Sequence, residues 1–60
     1  MKIIIYFNDG QRIEFVNCHS FNTNEDDLEV TYTDLHDCRF HHSAFKRDLL
    51  DRVSVRELNI

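Results

Sequence analysis

Four histidines and two cysteines in 60 residues fall into two local groups, Cys18-His19 and His36-x-Cys38-x-x-His41-His42. Imidazole and thiolate are ligands that Zn²⁺ favours, in sets of four converging tetrahedrally, so these groups raise the question of a metal. Their spacing matches no zinc finger or ribbon. On a strand successive side chains alternate faces, so Cys38 and His41 point apart and only a subset can converge. Cys18, Cys38 and His42 make the least strained set, and no metal or other cofactor is expected. Nucleophilic catalysis needs a thiolate beside a base, an oxyanion donor and a cleft. Adjacent Cys18 and His19 project to opposite faces and cannot pair directly. No catalytic residue is assigned, and the chain reads as a binding protein rather than an enzyme.

Charge is the second resource. The formal net charge of -4 runs against the basic balance of a phosphate-backbone binder. Its distribution is uneven: residues 25–37 contain Glu25, Asp26, Asp27, Glu29, Asp34 and Asp37 with no Lys or Arg. Residues 39–57 carry Arg39, Lys46, Arg47, Arg52 and Arg56 against Asp48, Asp51 and Glu57. An acidic stretch of this kind can dock on a basic protein surface, where its charges speed association and set specificity. Glu25, Asp26, Asp27, Glu29 and Asp34 are the expected partner contacts. The alternative is nucleic-acid or nucleotide binding, with Arg39, Lys46, Arg47 and Arg52 meeting phosphate while Tyr6 and Tyr32 stack on bases.

The elements that must position these groups follow from hydrophobic pattern. Sixty residues make one domain, 1–60, and a chain of this length buries only about 60% of the surface its unfolded form exposes. A deep pocket is not expected, so binding should use a surface or an oligomer interface. Phe7-Asn8-Asp9-Gly10-Gln11 lies between Ile3-Ile4-Ile5-Tyr6-Phe7 and Ile13-Glu14-Phe15-Val16 and predicts a hairpin. A two-residue loop would divide the apolar set between faces. A three-residue Asn8-Asp9-Gly10 loop puts Ile3, Ile5, Phe7, Ile13 and Phe15 on one face, and leaves Ile4 and Tyr6 on the other in need of cover. A homodimer would be one way to supply it.

Asn22 to Asp27 is turn-prone, Leu28 to Thr33 alternates with Leu28, Val30 and Tyr32 inward, and Asp34 to Asp37 reads as a turn. A further strand spans Cys38 to His42, with Cys38, Phe40 and His42 on one face. Phe45, Leu49 and Val53 recur at four-residue spacing behind the potential N-cap Ser43, which predicts a short helix near 44–52. Val53 and Val55, then Leu58 and Ile60, resume a strand. Phe21, Phe40 and Phe45 are expected in the core. The fold class is mainly β: an antiparallel meander of four to five strands, an SH3-like small barrel or curled sheet, with the helix before the last strand. A four-stranded sheet backed by the helix is the runner-up.

The pattern Met1-Lys2-Ile3-Ile4-Ile5-Tyr6-Phe7-Asn8-Asp9-Gly10, then Phe15-x-Asn17-Cys18, then Leu28-Glu29-Val30-Thr31-Tyr32, resembles small β-meander accessory proteins of bacteriophages and mobile elements. The resemblance covers residues 1–42. It implies an inhibitor of a host defence protein, of the anti-CRISPR type, and carries over no catalytic residue. The apolar run after Met1-Lys2 stops at Phe7, short of a secretory core of roughly 7 to 15 residues, and no run approaches the ~20 apolar residues of a membrane span. The expected place of action is the cytoplasm, that of the host cell for a phage protein, with both thiols reduced.

Overall fold

The computed structural model describes residues 1–57. Its elements are β1 (Lys2–Phe7), β2 (Arg12–Phe15), β3 (Cys18–Thr23), β4 (Asp27–Thr33), β5 (Phe40–Lys46) and β6 (Leu50–Arg56), with a 3-10 turn at Arg47–Leu49. They form two three-stranded antiparallel sheets, ordered β2-β1-β6 and β3-β4-β5. Strands β2 and β3 are one apolar-to-polar run, bent at Val16-Asn17 so that the chain leaves the first sheet and enters the second.

The first hairpin uses the three-residue loop. Ile3 faces Phe15 and Ile5 faces Ile13 across the ladder, the Phe7 N–H donates to the Gln11 carbonyl at 2.9 Å, and the Gly10 N–H donates to the Phe7 carbonyl at 3.1 Å. Gly10 closes the loop at φ +90°, a conformation that side chains rarely adopt. Residues opposite one another share a face, so Ile3, Ile5, Phe7, Ile13 and Phe15 all point toward the second sheet.

Ile4 and Tyr6, on the outer face, find their cover within the chain. Ile4 is 5% exposed on the central strand, flanked in register by Glu14 and Ser54. Lys2 pairs with Glu14 at 3.5 Å, and the Arg52 guanidinium lies 4.2 Å above the Tyr6 ring centre. Charged side chains with long apolar stems thus surround this face.

Ile3, Ile5 and Phe15 from the first sheet meet Cys18, Leu28 and Val30 from the second in a single buried core, with Phe7, Tyr32, Phe45 and Leu50 packed around it. The Phe15 ring lies 4.5 Å from Tyr32 and 6.0 Å from Phe45, and Phe7 meets Phe45 edge-on at 5.9 Å. Backbone bonds tie the corners: Cys18 N–H to the Met1 carbonyl, Thr33 N–H to that of Asn17, and Arg47 N–H to that of Asp26, each at 3.0 Å. Asn8 fixes the 3-10 turn to the hairpin loop. Its backbone N–H donates to the Leu49 carbonyl at 2.9 Å and its side-chain amide to that of Asp48 at 2.8 Å, so carbonyls a short coil leaves unpaired are satisfied.

The helix expected near 44–52 is a correction. Ala44, Phe45 and Lys46 continue β5, only Arg47–Leu49 coil, and extended chain resumes at Leu50. Among the described residues there are six strands rather than four to five, and the sheets do not close into a barrel. Phe40 and His42 share one face of β5 and His41 takes the other, as expected, but the face that carries Phe40 is the outer one. His41 opposes Tyr32 and so shares the inner face, whereas Phe40 opposes Thr33 and His42 opposes Thr31 on the outer one. Cys38, at φ +57°, ends the preceding turn and does not start the strand. Phe40 is accordingly 75% exposed and Phe21 41%, and of the three phenylalanines expected inside only Phe45 packs against the core. The strand expected to run on through Leu58 and Ile60 lies there outside the described residues. Among the described residues no helix is long and apolar enough to cross a membrane.

Ile5 is fully buried. Ile5→Ala should lose about 2–5 kcal/mol, against a total stability on the order of 3–9 kcal/mol for a chain this long. Urea melts should therefore show a largely unfolded variant, whereas Phe40→Ala should move the midpoint by less than about 0.5 kcal/mol.

Candidate functional site

Between β4 and β5 the chain makes a tight loop whose carboxylates hold its own backbone. Asp34 Oδ1 accepts the His36 N–H at 2.7 Å and Asp37 Oδ1 accepts the Arg39 N–H at 2.9 Å. The Asp34 N–H donates to the Arg39 carbonyl at 3.1 Å, and the Cys38 N–H to that of Asp34 at 2.9 Å. Short acidic side chains favour such turns because they can accept from N–H groups two residues on. One oxygen of each carboxylate is used this way. Asp37 Oδ2 lies 2.9 Å from His41 Nε2, and the His41 ring stacks on Tyr32 at 5.6 Å with 20° between the planes. One donor atom from each of Asp34, Asp37 and His41 lies within 4.8 Å of the others. The Arg39 N–H first, then the His41 side chain, hold the Asp37 carboxyl below its ordinary range.

Beside this cluster an open cavity of about 250 Å³ separates the loop from the β2–β3 bend. Phe15, Tyr32 and Leu35 supply apolar walls and Asp34 and His36 supply polar groups, while Glu14 borders the cavity from β2 with its side chain on the outer face beside Lys2. No Lys or Arg lines it. The nearest pairing of its acids is Lys2 with Glu14 at 3.5 Å, both side chains about a third exposed, and such surface pairs contribute at most about 1 kcal/mol. The cavity can therefore take a positively charged side chain: aromatic faces attract cations and the Asp34 carboxylate meets the charge.

The five acidic residues singled out from the sequence do not converge. Glu25 and Asp26 are exposed on the β3–β4 turn, Asp27 pairs with Lys46 at 3.7 Å, and Glu29 lies mid-strand on the outer face with His42 at 3.4 Å. Asp34 sits at the other end of β4, about 20 Å away at ordinary strand rise. The basic and aromatic set is scattered too. Tyr6 and Arg52 cover the outer face of the first sheet, Tyr32 is half-buried against Phe15, and Arg47 donates from Nη1 to the Asn24 carbonyl at 2.8 Å. Cys18, Cys38 and His42 are likewise apart: Cys18 is buried, Cys38 is exposed on the loop, and His42 faces Glu29. At the same end of the second sheet His19 is hydrogen-bonded to Thr33 Oγ1 and packs against Phe40 at 5.0 Å. Sequence reasoning named Asp37 in the acidic stretch and His41 in the histidine group but placed neither in a final set. Their four-residue spacing was the available signal.

Burial, partly offset by the nearby N-terminal ammonium, raises the Cys18 thiol above its ordinary pKa. A thiol-exchange reagent at neutral pH should modify Cys38 quickly and Cys18 only as fast as the fold opens, and two equally fast thiols would contradict this burial. Asp37 has a folded pKa below its unfolded one, so its contribution is present above the unfolded value and is lost as pH falls through the folded value. Amide resonances of residues 34–41 should move together on acidification below the ordinary aspartate range, and Asp37→Asn should abolish that step. No family model matches the chain, nor does any curated protein or solved structure.

Proposed function

We propose that the protein is a non-catalytic binding module that docks on a basic surface of a host protein in the cytoplasm, as its resemblance to phage inhibitor proteins implies. The observation that carries this reading is the cavity beside the β4–β5 loop, with Asp34, Phe15 and Tyr32 among its lining residues and no Lys or Arg there. A partner's arginine or lysine side chain fits that chemistry. Its apolar stem lies on the aromatic rings while its charge meets the Asp34 carboxylate. Of the acidic contacts expected from sequence, Asp34 becomes the anchor. Glu25 and Asp26 at the far end of β4 add long-range attraction, which raises the association rate without fixing the geometry.

Fluorescence anisotropy with labelled arginine-rich and lysine-rich peptides tests this. Binding should weaken as salt rises, and Asp34→Asn should reduce affinity about 3- to 10-fold, the effect of losing ~1 kcal/mol. Asp26→Asn should act mainly on the association rate. Peptide binding indifferent to Asp34 would remove the cavity from the mechanism, and oligonucleotide binding that falls with salt would favour the basic set instead.

A further inference from the structure

We propose that Asp34, Asp37 and His41 form a binding site for a divalent transition-metal ion of the zinc type. Their donor atoms lie within 4.8 Å of one another. Tetrahedral Zn²⁺ with bonds of about 2.0–2.2 Å sets neighbouring donors about 3.4 Å apart, so the carboxylates need to close by little more than ~1 Å and the 2.9 Å Asp37–His41 contact needs to open slightly. The three residues lie in one eight-residue segment, and two of them are on an exposed loop that can make this adjustment.

Electrostatics favours an ion at this point. Two carboxylates are held close together, and among the described residues neither has a Lys or Arg within ion-pairing distance; only the His41 ring approaches, at Asp37. Each Asp already uses Oδ1 to accept a backbone N–H, which fixes the carboxylate, and Asp37 Oδ2 is directed at the His41 ring. His41 is held by its stacking on Tyr32, so the imidazole is aimed before any metal arrives. Oriented carboxylates and a packed imidazole are the outer support that metal sites need. On binding, the ion replaces the Asp37–His41 hydrogen bond: Nε2 coordinates through its lone pair, and any proton on it leaves to solvent. A nitrogen among the three donors selects a first-row transition ion over Mg²⁺ or Ca²⁺, which require oxygen shells. Three protein ligands leave a fourth position for water or for a donor from a partner.

Asp34 also belongs to the proposed docking cavity, but Asp37 and His41 do not line it, so variants of those two separate the inferences. Zinc titration of the full chain against a chromophoric chelator should give one equivalent bound. Asp37→Asn and His41→Gln should each lower the affinity by about 10-fold or more, while Cys38→Ser and His42→Gln should leave it within about 2-fold. Amide NMR of the unsubstituted protein should show zinc-dependent shifts confined to residues 34–41 and Tyr32, which tests the site even if a variant fails to fold. No binding of zinc, binding unaffected by Asp37→Asn and His41→Gln, or binding that disappears with Cys38→Ser would each overturn the assignment.

Discussion

The contact between Phe15 and Tyr32 holds the molecule together. Among the described residues the two sheets share no ladder and are joined by the β2–β3 bend, the 3-10 turn between β5 and β6 and a few corner hydrogen bonds, so their union depends on what fills the space between them. Phe15, 8% exposed, reaches from the first sheet to Tyr32 and Phe45 of the second. Burying an aromatic ring yields more apolar contact than any other single side chain, and the tilted geometry adds to it. Phe7 adds a second aromatic contact between the sheets, edge-on to Phe45 at 5.9 Å.

The same ring pair sets up the chemistry. Tyr32 presents one side to Phe15, lines the cavity, and stacks against His41. A change that lets the sheets slip would thereby tilt the imidazole and reshape the cavity together. Packing and recognition are coupled through one side chain, because a domain this short cannot keep a separate scaffold and site.

The parts of this arrangement that could be read in the sequence are those where one local rule acts alone. The hairpin loop length followed from the demand that Ile3, Ile5, Phe7, Ile13 and Phe15 share a face, and the alternation of Leu28, Val30 and Tyr32 was equally plain. β5 was obscured because its inner positions are His41, Ser43 and Phe45: two of three are polar, so alternation is hidden and the four-residue spacing of Phe45, Leu49 and Val53 looks helical. Cys38 in the left-handed region shifts the strand start by two residues, which keeps Phe40 and His42 together on one face, and that face is the outer one. The loop cluster was illegible for the same reason. Extended chain would set Asp37 and His41 about 13 Å apart, whereas a turn brings them to hydrogen-bonding distance. Phe15 meets Tyr32 and Asp34 at the cavity only through the bend at Val16-Asn17, a tertiary event with no local signature.

The placement of β1 has one more consequence. Ile3-Ile4-Ile5-Tyr6-Phe7 is β-branched, aromatic and uncharged, the composition of segments that stack into amyloid. It is also the strand with neighbours on both sides, β2 and β6, while its outer face lies beneath Lys2, Glu14 and Arg52. The unpaired edges fall instead to β2, β3, β5 and β6, which carry Arg, His, Lys and Asp, side chains that resist edge-to-edge association. The topology thus acts as a gatekeeper. The most self-adhesive stretch of the chain is sealed in mid-sheet, and uncovering either of its edges requires β2 or β6 to detach.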